Sequence, residues 1–116
     1  MQGPSAAILI NEVDIYPAIA GQDVDGGYKV TYAANPTYDS VACMVEADDM
    51  YEVLEQERIV QYLVWYIMTD KRYNLLARSK IIYVDDGGET HTMITEASRG
   101  EAERGGVYTI RASERI

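Results

Sequence analysis

The chain contains one cysteine and one histidine, Cys43 and His91, which together could form a nucleophile–base pair. A Cys–His pair becomes catalytic only when the base activates the thiol and a further group positions the base. Cys43 lies in an apolar run, residues 41–45, where a free cysteine usually behaves as a small buried hydrophobic residue. His91 lies in a strand-like segment, residues 89–93, which favours a surface strand position. We therefore expect neither residue to be catalytic.

Two turns rich in aspartate and glycine, residues 23–26 and 85–88, superficially resemble the start of a calcium-binding loop. Such a loop needs a bidentate glutamate six positions after its glycine, and the first candidate has Tyr32 there. Hairpin turns are the better interpretation of both segments. A single cysteine also cannot build a cysteine-based zinc site within one chain. The sequence therefore predicts no metal site.

No phosphate-binding loop and no dinucleotide fingerprint occurs in the sequence, so nucleotide binding has no support. The formal net charge of −9 argues against a protein that grips nucleic acid, because that function needs clustered lysine and arginine. We expect no cofactor and no catalytic activity. A small-molecule-binding barrel would need a pocket with convergent polar groups.

The most unusual charge feature is a group of six carboxylates within twelve residues, with no basic residue before Arg58. It consists of Glu46, Asp48, Asp49, Glu52, Glu55 and Glu57. A solvated acidic loop or helix face is one interpretation. The functional alternative is that a symmetric ring multiplies the segment into a zone of negative potential.

The elements that position these residues have strand length and are separated by turns, which predicts an all-β barrel or sandwich. Ten tyrosines and no phenylalanine agree with this, since tyrosine is a good strand former. The segments 8–16 and 28–32 are expected to form a hairpin. A second hairpin is expected around the Asp-Gly turn at 85–88. The expected strands are 8–16, 28–32, 41–45, 58–69, 79–84, 90–95 and 107–112.

One segment, residues 49–57, does not fit the strand pattern. Asp49 and Glu52 have the spacing of a capping box, and Met50, Val53 and Leu54 have helical spacing. A short helix and a mobile loop are both consistent with it, because so short a helix is marginal unless it is packed.

The length of 116 residues fits one domain spanning 1–116. The only N-terminal apolar stretch, residues 6–10, is too short for a membrane span or a signal peptide. We therefore expect no membrane association and synthesis in the cytoplasm.

From residue 39 onward, a series of features follows a recognisable order. It consists of the strand DSVACMVE (39–46), the acidic segment, the aromatic strand QYLVWY (61–66), LLARSKIIY (75–83), a hairpin, a polar glycine-containing loop and a last strand. This order resembles the head-closure, or head–tail joining, proteins of long-tailed bacteriophages. The glycine often found before the aromatic strand in such proteins is absent here, as is the one near Ala77 and Arg78.

The resemblance implies a small β-barrel of about six to seven strands with a long loop or short helix between the third and fourth strands. It implies a non-catalytic virion protein of the phage neck, made in the host cytoplasm, that closes the DNA channel after packaging and provides the platform for tail attachment. Its implied partners are a portal or adaptor ring, a tail-side neck protein and further copies of itself in a dodecameric or hexameric ring. The loop, roughly residues 46–58, would reach the channel through which DNA passes. A tail-completion or tail-terminator-like protein is the alternative.

Overall fold

The computed structural model describes residues 11–22, 28–73, 75–96, 101–104 and 107–116. Every element in these ranges is a β-strand, and none of the described residues forms a helix. The nine strands are β1 (Asn11–Tyr16), β2 (Ile19–Gln22), β3 (Tyr28–Thr31), β4 (Tyr38–Glu55), β5 (Arg58–Thr69), β6 (Lys80–Val84), β7 (Thr90–Thr95), β8 (Glu101–Arg104) and β9 (Val107–Arg115). The described part of the chain thus offers no helix long and apolar enough to cross a membrane.

Six strands form a closed barrel in the order β5-β4-β1-β6-β7-β9, and β5 pairs with β9 to complete it. β8 adds to β9, and β2 pairs with β3 in a separate two-stranded sheet. The expected all-β barrel is therefore confirmed. Closure pairs the outer strands of the barrel with each other, which removes free sheet edges within the closed part of the barrel.

The barrel core follows from the period-two alternation of its strands, which turns every second side chain inward. Fully buried isoleucines come from four of the six barrel strands, at Ile15, Ile67, Ile81 and Ile110. Each such side chain stabilises the fold by about 1.5–3 kcal/mol relative to exposure. Cys43 is completely buried among them, as its apolar surroundings in the sequence indicate.

The β6–β7 hairpin confirms the prediction made from the Asp-Gly turn. Asp85 accepts the amide of Gly88 through its backbone carbonyl at 2.9 Å, while its carboxylate Oδ1 accepts the amides of Gly87 and Glu89, each at 2.9 Å. Gly88 has a φ of 83°, which a side chain would disfavour. Local turn chemistry is sufficient to specify this hairpin.

The predicted hairpin between residues 8–16 and 28–32 is wrong. β1 lies between β4 and β6, and β3 pairs with β2 instead. The backbone of β1 is paired along both of its edges, by β4 and by β6, so it has no free edge to pair with β3. Residues 8–10 lie outside the described ranges.

The loop or short helix expected at residues 49–57 is also replaced by a strand. β4 continues through it to Glu55, and its partner β5 starts at Arg58. Ten registered pairs join the two strands, so pairing along the whole segment outweighs the weak local helix signal. The two predicted strands 41–45 and 58–69 therefore belong to one long hairpin.

Candidate functional site

The distal half of the β4–β5 hairpin, residues 50–61, is here called the arm. Among the described strands, β1 pairs with β4 only as far as Cys43, and β9 pairs with β5 only from Tyr62 onward. The arm strands therefore have each other as their only strand neighbours in the described part of the chain. A two-stranded ribbon alone is at best marginally stable in water, so such an arm is well suited to gaining contacts from a partner.

A β-bulge lies at the base of the arm. Ala47 pairs with Trp65 and Met50 pairs with Leu63, so Asp48 and Asp49 together lie opposite one residue of β5. A bulge shifts the alternation of its strand by one residue. Beyond it, the side chains of β4 that share the core-side face are those of even number.

The core-side face of the arm continues past the end of the barrel and carries three exposed apolar side chains, with the polar pair Glu52 and Gln61 between them. Leu54 is 72% exposed and pairs with Ile59, which is 69% exposed, while Met50 is also exposed. Leu63, directly opposite Met50, still packs against the core. The alternation that builds the core thus leaves an uncovered apolar patch (Met50, Leu54 and Ile59) on the arm.

The opposite face of the arm is better covered. Val60 is only 7% exposed and lies opposite Val53, and the rings of Tyr51 and Tyr62 stack with centroids 5.4 Å apart. A backbone hydrogen bond of 2.9 Å from Ile116 to the Gln61 carbonyl ties the arm to the residue after β9. The two faces therefore differ in how much apolar surface they leave to water.

The six predicted carboxylates are distributed along this structure and do not form a loop. Glu46, Asp48 and Asp49 lie at the base, while Glu52, Glu55 and Glu57 lie on the arm or its turn. Among those whose side chains are described, all are exposed except Glu55, which is half-buried. The segment presents negative charge to solvent along its length.

Glu55 has a basic partner from outside the acidic segment. Its side chain lies 3.5 Å from Nη1 of Arg115, and it accepts a hydrogen bond from the Tyr62 hydroxyl at 2.5 Å. That hydrogen bond raises the pKa of Tyr62 above its usual value. Arg115 belongs to β9, so Glu55 links the arm to the closing strand of the barrel.

The turn of the arm consists of Gln56 and Glu57, whose φ angles are 47° and 63°. A two-residue hairpin turn with positive φ at both positions usually contains asparagine and glycine. Residues with a Cβ atom pay about 1–2 kcal/mol for this conformation. Strain at the tip of an exposed segment is a feature often found at functional sites.

A second cluster surrounds His91 on β7. Its Nε2 lies 2.9 Å from Oδ2 of Asp85, and its Nδ1 lies 3.0 Å and 3.1 Å from the two carboxylate oxygens of Glu114. The side chain is 14% exposed, so the expected surface position is wrong. Both ring nitrogens bond to carboxylates and neither bonds to Cys43. Burial, with a smaller contribution from Glu12, raises the pKa of Cys43 to about 12, which disfavours a thiolate nucleophile.

The ligand atoms of Asp85, Glu89 and His91 lie within 4.8 Å of one another, so this is where a metal could be sought. The His91 nitrogens already have carboxylate partners, however, and the cluster is complete as a charged hydrogen-bond network. We therefore assign no metal site to these residues.

A shallow groove of about 400 Å³ crosses the outside of β1. Its polar lining includes Glu12, Asp14, Ser40 and Asp86. Asp14 already accepts a hydrogen bond from the Ser40 amide at 3.0 Å. The groove is an open acidic surface and lacks the mainly apolar walls typical of small-molecule sites.

Comparison with known proteins gives one informative likeness. The fold matches the structure of the phage-like element PBSX protein xkdH from Bacillus subtilis with a TM-score of 0.60 and 17% sequence identity. The match covers 90% of this chain and 92% of that chain. At this identity the likeness shows a shared fold. No protein-family model and no curated protein matches the chain.

Two features of the site were missed from sequence. The apolar patch could have been predicted if residues 50–54 had been interpreted as a strand, in which Met50 and Leu54 share one face. Their spacing was interpreted as helical instead. The Glu114 carboxylate lies 23 positions from His91, and nothing in the local pattern around either residue indicates that they meet.

Proposed function

We propose that the protein is a non-catalytic structural protein of a tailed-phage virion that docks as a ring in the neck, beneath the portal or adaptor. In this role the arm points toward the DNA channel and helps to close it after packaging, and the barrel forms the platform for the tail. The order of sequence features supports the proposal, as does a shared fold with a protein from a phage-like element.

The observation that carries the proposal is the arm itself. It extends beyond the barrel as a ribbon of two strands, each paired only with the other among the described strands, and it leaves Leu54 and Ile59 largely exposed. Exposed apolar groups of this kind indicate an interaction surface. A ring of copies would bring several arms together around one axis, where these side chains can pack.

The charge of the segment fits a water-filled channel. Exposed carboxylates such as Glu52 and Glu57 would be costly to bury without partners, whereas a hydrated lumen leaves them solvated. In a ring each copy adds its charges at a similar radius. The resulting field would repel the phosphates of DNA and prevent adhesion, while the arms themselves obstruct the channel sterically.

The test compares phage particles that carry charge-reversed variants of this protein. Asp48, Glu52 and Glu57 are replaced together by lysine, which leaves the Glu55–Arg115 contact intact. We expect a folded protein but particles that retain or release DNA abnormally, measured as nuclease-sensitive DNA and reduced infectivity. The matched control reverses three exposed carboxylates of the barrel and its loops, Asp39, Asp70 and Asp86.

Full infectivity of the arm variant, or an equal defect in the control, would contradict the channel-facing arm. Filled heads that retain their DNA normally but carry defective tails would favour the tail-completion alternative. Absence of the protein from purified particles would exclude a virion role altogether.

A further inference from the structure

His91 is the meeting point of three chain segments. It lies on β7, Asp85 opens the β6–β7 turn, and Glu114 lies on β9. Both ring nitrogens are within 3.1 Å of carboxylate oxygens from the other two segments. A neutral imidazole can donate from only one nitrogen, so only the protonated ring satisfies both carboxylates as a donor.

Aromatic rings from two further strands enclose the imidazole. Its centroid lies 5.1 Å from that of Trp65 on β5 and 5.9 Å from that of Tyr83 on β6. The indole Nε1 of Trp65 donates a hydrogen bond of 3.0 Å to the same Glu114 carboxylate. The Glu114 side chain is therefore held from β5 and from β7 at once.

The charged groups around His91 are predominantly negative. Asp85 and Glu114 contact it, Glu89 lies nearby on the turn, and the neutral rings of Tyr83 and Trp65 face it from the remaining strands. No lysine or arginine forms an ion pair with these carboxylates within the described ranges. His91 is thus the one group in the cluster that can balance their charge.

The same end of β9 also holds the arm. Arg115, next to Glu114, contacts Glu55, and the Ile116 amide donates to Gln61. If the Glu114 side chain loses its hydrogen bonds, the neighbouring residues Arg115 and Ile116 can shift with it. Their contacts with Glu55 and Gln61 would then weaken, and the arm would be held less firmly.

We propose that protonated His91 acts as a pH-dependent clamp that holds the end of β9, and with it the base of the arm, against the barrel. Loss of the proton breaks one of the two carboxylate contacts and leaves unbalanced negative charge. The clamp then opens without unfolding the barrel, because the core strands keep their own burial and ladder hydrogen bonds.

The direction of the pH effect follows from the two contacting groups. The hydrogen bond to Asp85 is the largest cause of a raised pKa at His91, and the hydrogen bond to Glu114 adds to it. Together they outweigh the opposite effect of burial, so the pKa of His91 lies above 6.5. The stabilisation by His91 is therefore complete below pH 6.5 and is lost as the pH rises through the higher folded-state pKa. The hydrogen bond to His91 lowers the pKa of Asp85 below 3.8, so its contribution is lost only as the pH falls through that lower value.

The first experiment follows the ring resonances of His91 by NMR as a function of pH in the unmodified chain. Because this is the only histidine, its signals need no mutant for assignment. We expect a midpoint above the ordinary value of 6.5. A midpoint at or below that value would overturn the proposal.

The second experiment measures amide hydrogen exchange, expressed as protection relative to the unstructured chain so that the intrinsic pH dependence cancels. Protection of the Ile116 amide should fall several-fold from mildly acidic to mildly alkaline pH, while the Ile67 and Ile110 amides in the barrel stay unchanged. In His91→Gln, Ile116 should be weakly protected at both pH values. Glu89→Gln, which makes no hydrogen bond to the ring, should behave like the parent chain.

A parent chain whose Ile116 protection does not change with pH would contradict the clamp, as would a His91→Gln variant with the same pH response. If His91→Gln does not fold, Glu114→Gln tests the same contact, since it keeps the side-chain shape and removes the charge. Neither outcome bears on the virion role, which is tested separately.

Discussion

The indole Nε1 of Trp65 donates a hydrogen bond to Glu114 Oε1 across the β5–β9 pair that closes the barrel. Trp65 is 8% exposed, packs in the core cluster and lies edge-on to Tyr83. One side chain therefore fills the core and also fixes the carboxylate that holds His91.

Replacing Trp65 by alanine should lower the free energy of unfolding by about 3–5 kcal/mol, because it leaves a large cavity in the core. Trp65→Phe keeps much of the volume and loses the hydrogen bond, so it should cost less, about 1–3 kcal/mol. Denaturant unfolding of both variants measures the difference. An unchanged midpoint for the alanine variant would show that the side chain is not part of the core.

The strained turn should respond to glycine. Glu57→Gly removes the Cβ atom at a φ of 63° and should raise the free energy of unfolding by about 0.5–1 kcal/mol. Glu46→Gly, in the same strand pair but within β4, should instead lower it by about 0.5–1 kcal/mol. Denaturant titration of the two variants decides this; equal effects of the same sign would mean that the turn is unstrained.

The two faces of the arm should behave differently. Leu54→Ser and Ile59→Ser change side chains that are already exposed, so the free energy of unfolding should change by less than about 0.5 kcal/mol. Val60→Ser, at the adjacent 7% exposed position on the opposite face of the ribbon, should cost about 1–3 kcal/mol. Thermal melting measures stability and particle assembly measures function. Normal assembly with both exposed positions changed would show that the apolar patch makes no essential contact.

Cys43 should be inert in the folded chain. It is fully buried and burial raises its pKa to about 12, so little thiolate forms and reagents cannot reach it. A chromogenic disulfide reagent at mildly alkaline pH should react only as fast as the barrel opens, and rapidly in strong denaturant. Complete labelling of the native protein within seconds would contradict this burial.

The parts of the fold that the sequence predicted are those specified locally. β5 and the β6–β7 hairpin have clear alternation or a strong turn signal, and both have the expected bounds to within a residue. β4 was underestimated because the spacing of Asp49 and Glu52 imitates a helix start. Its extension depends on pairing with β5 across a turn without glycine, which no local pattern indicates.

The sequence predicted which residues form the acidic segment of the candidate site, but it did not predict how they are arranged in space. The acidic segment is visible in the residue types alone, but its ribbon form, its bulge and the contact of Glu55 with Arg115 depend on strand register. The His91 cluster likewise arises because barrel closure brings β9 beside β5 and β7. Such contacts between distant positions are set by topology.

The bulge at Asp48 and Asp49 also determines where this hairpin can tolerate changes in length. It holds one residue more than its partner strand, so loss of either aspartate would restore regular pairing and leave Leu54 and Ile59 on the same face as before. Between Tyr51 and Leu54 every residue pairs with one residue of β5, so there is no extra residue to lose. A single deletion there would reverse the orientation of every side chain from that point to the turn. Length variation in this hairpin should therefore be confined to the two aspartates, while the segment beyond them keeps a fixed number of residues.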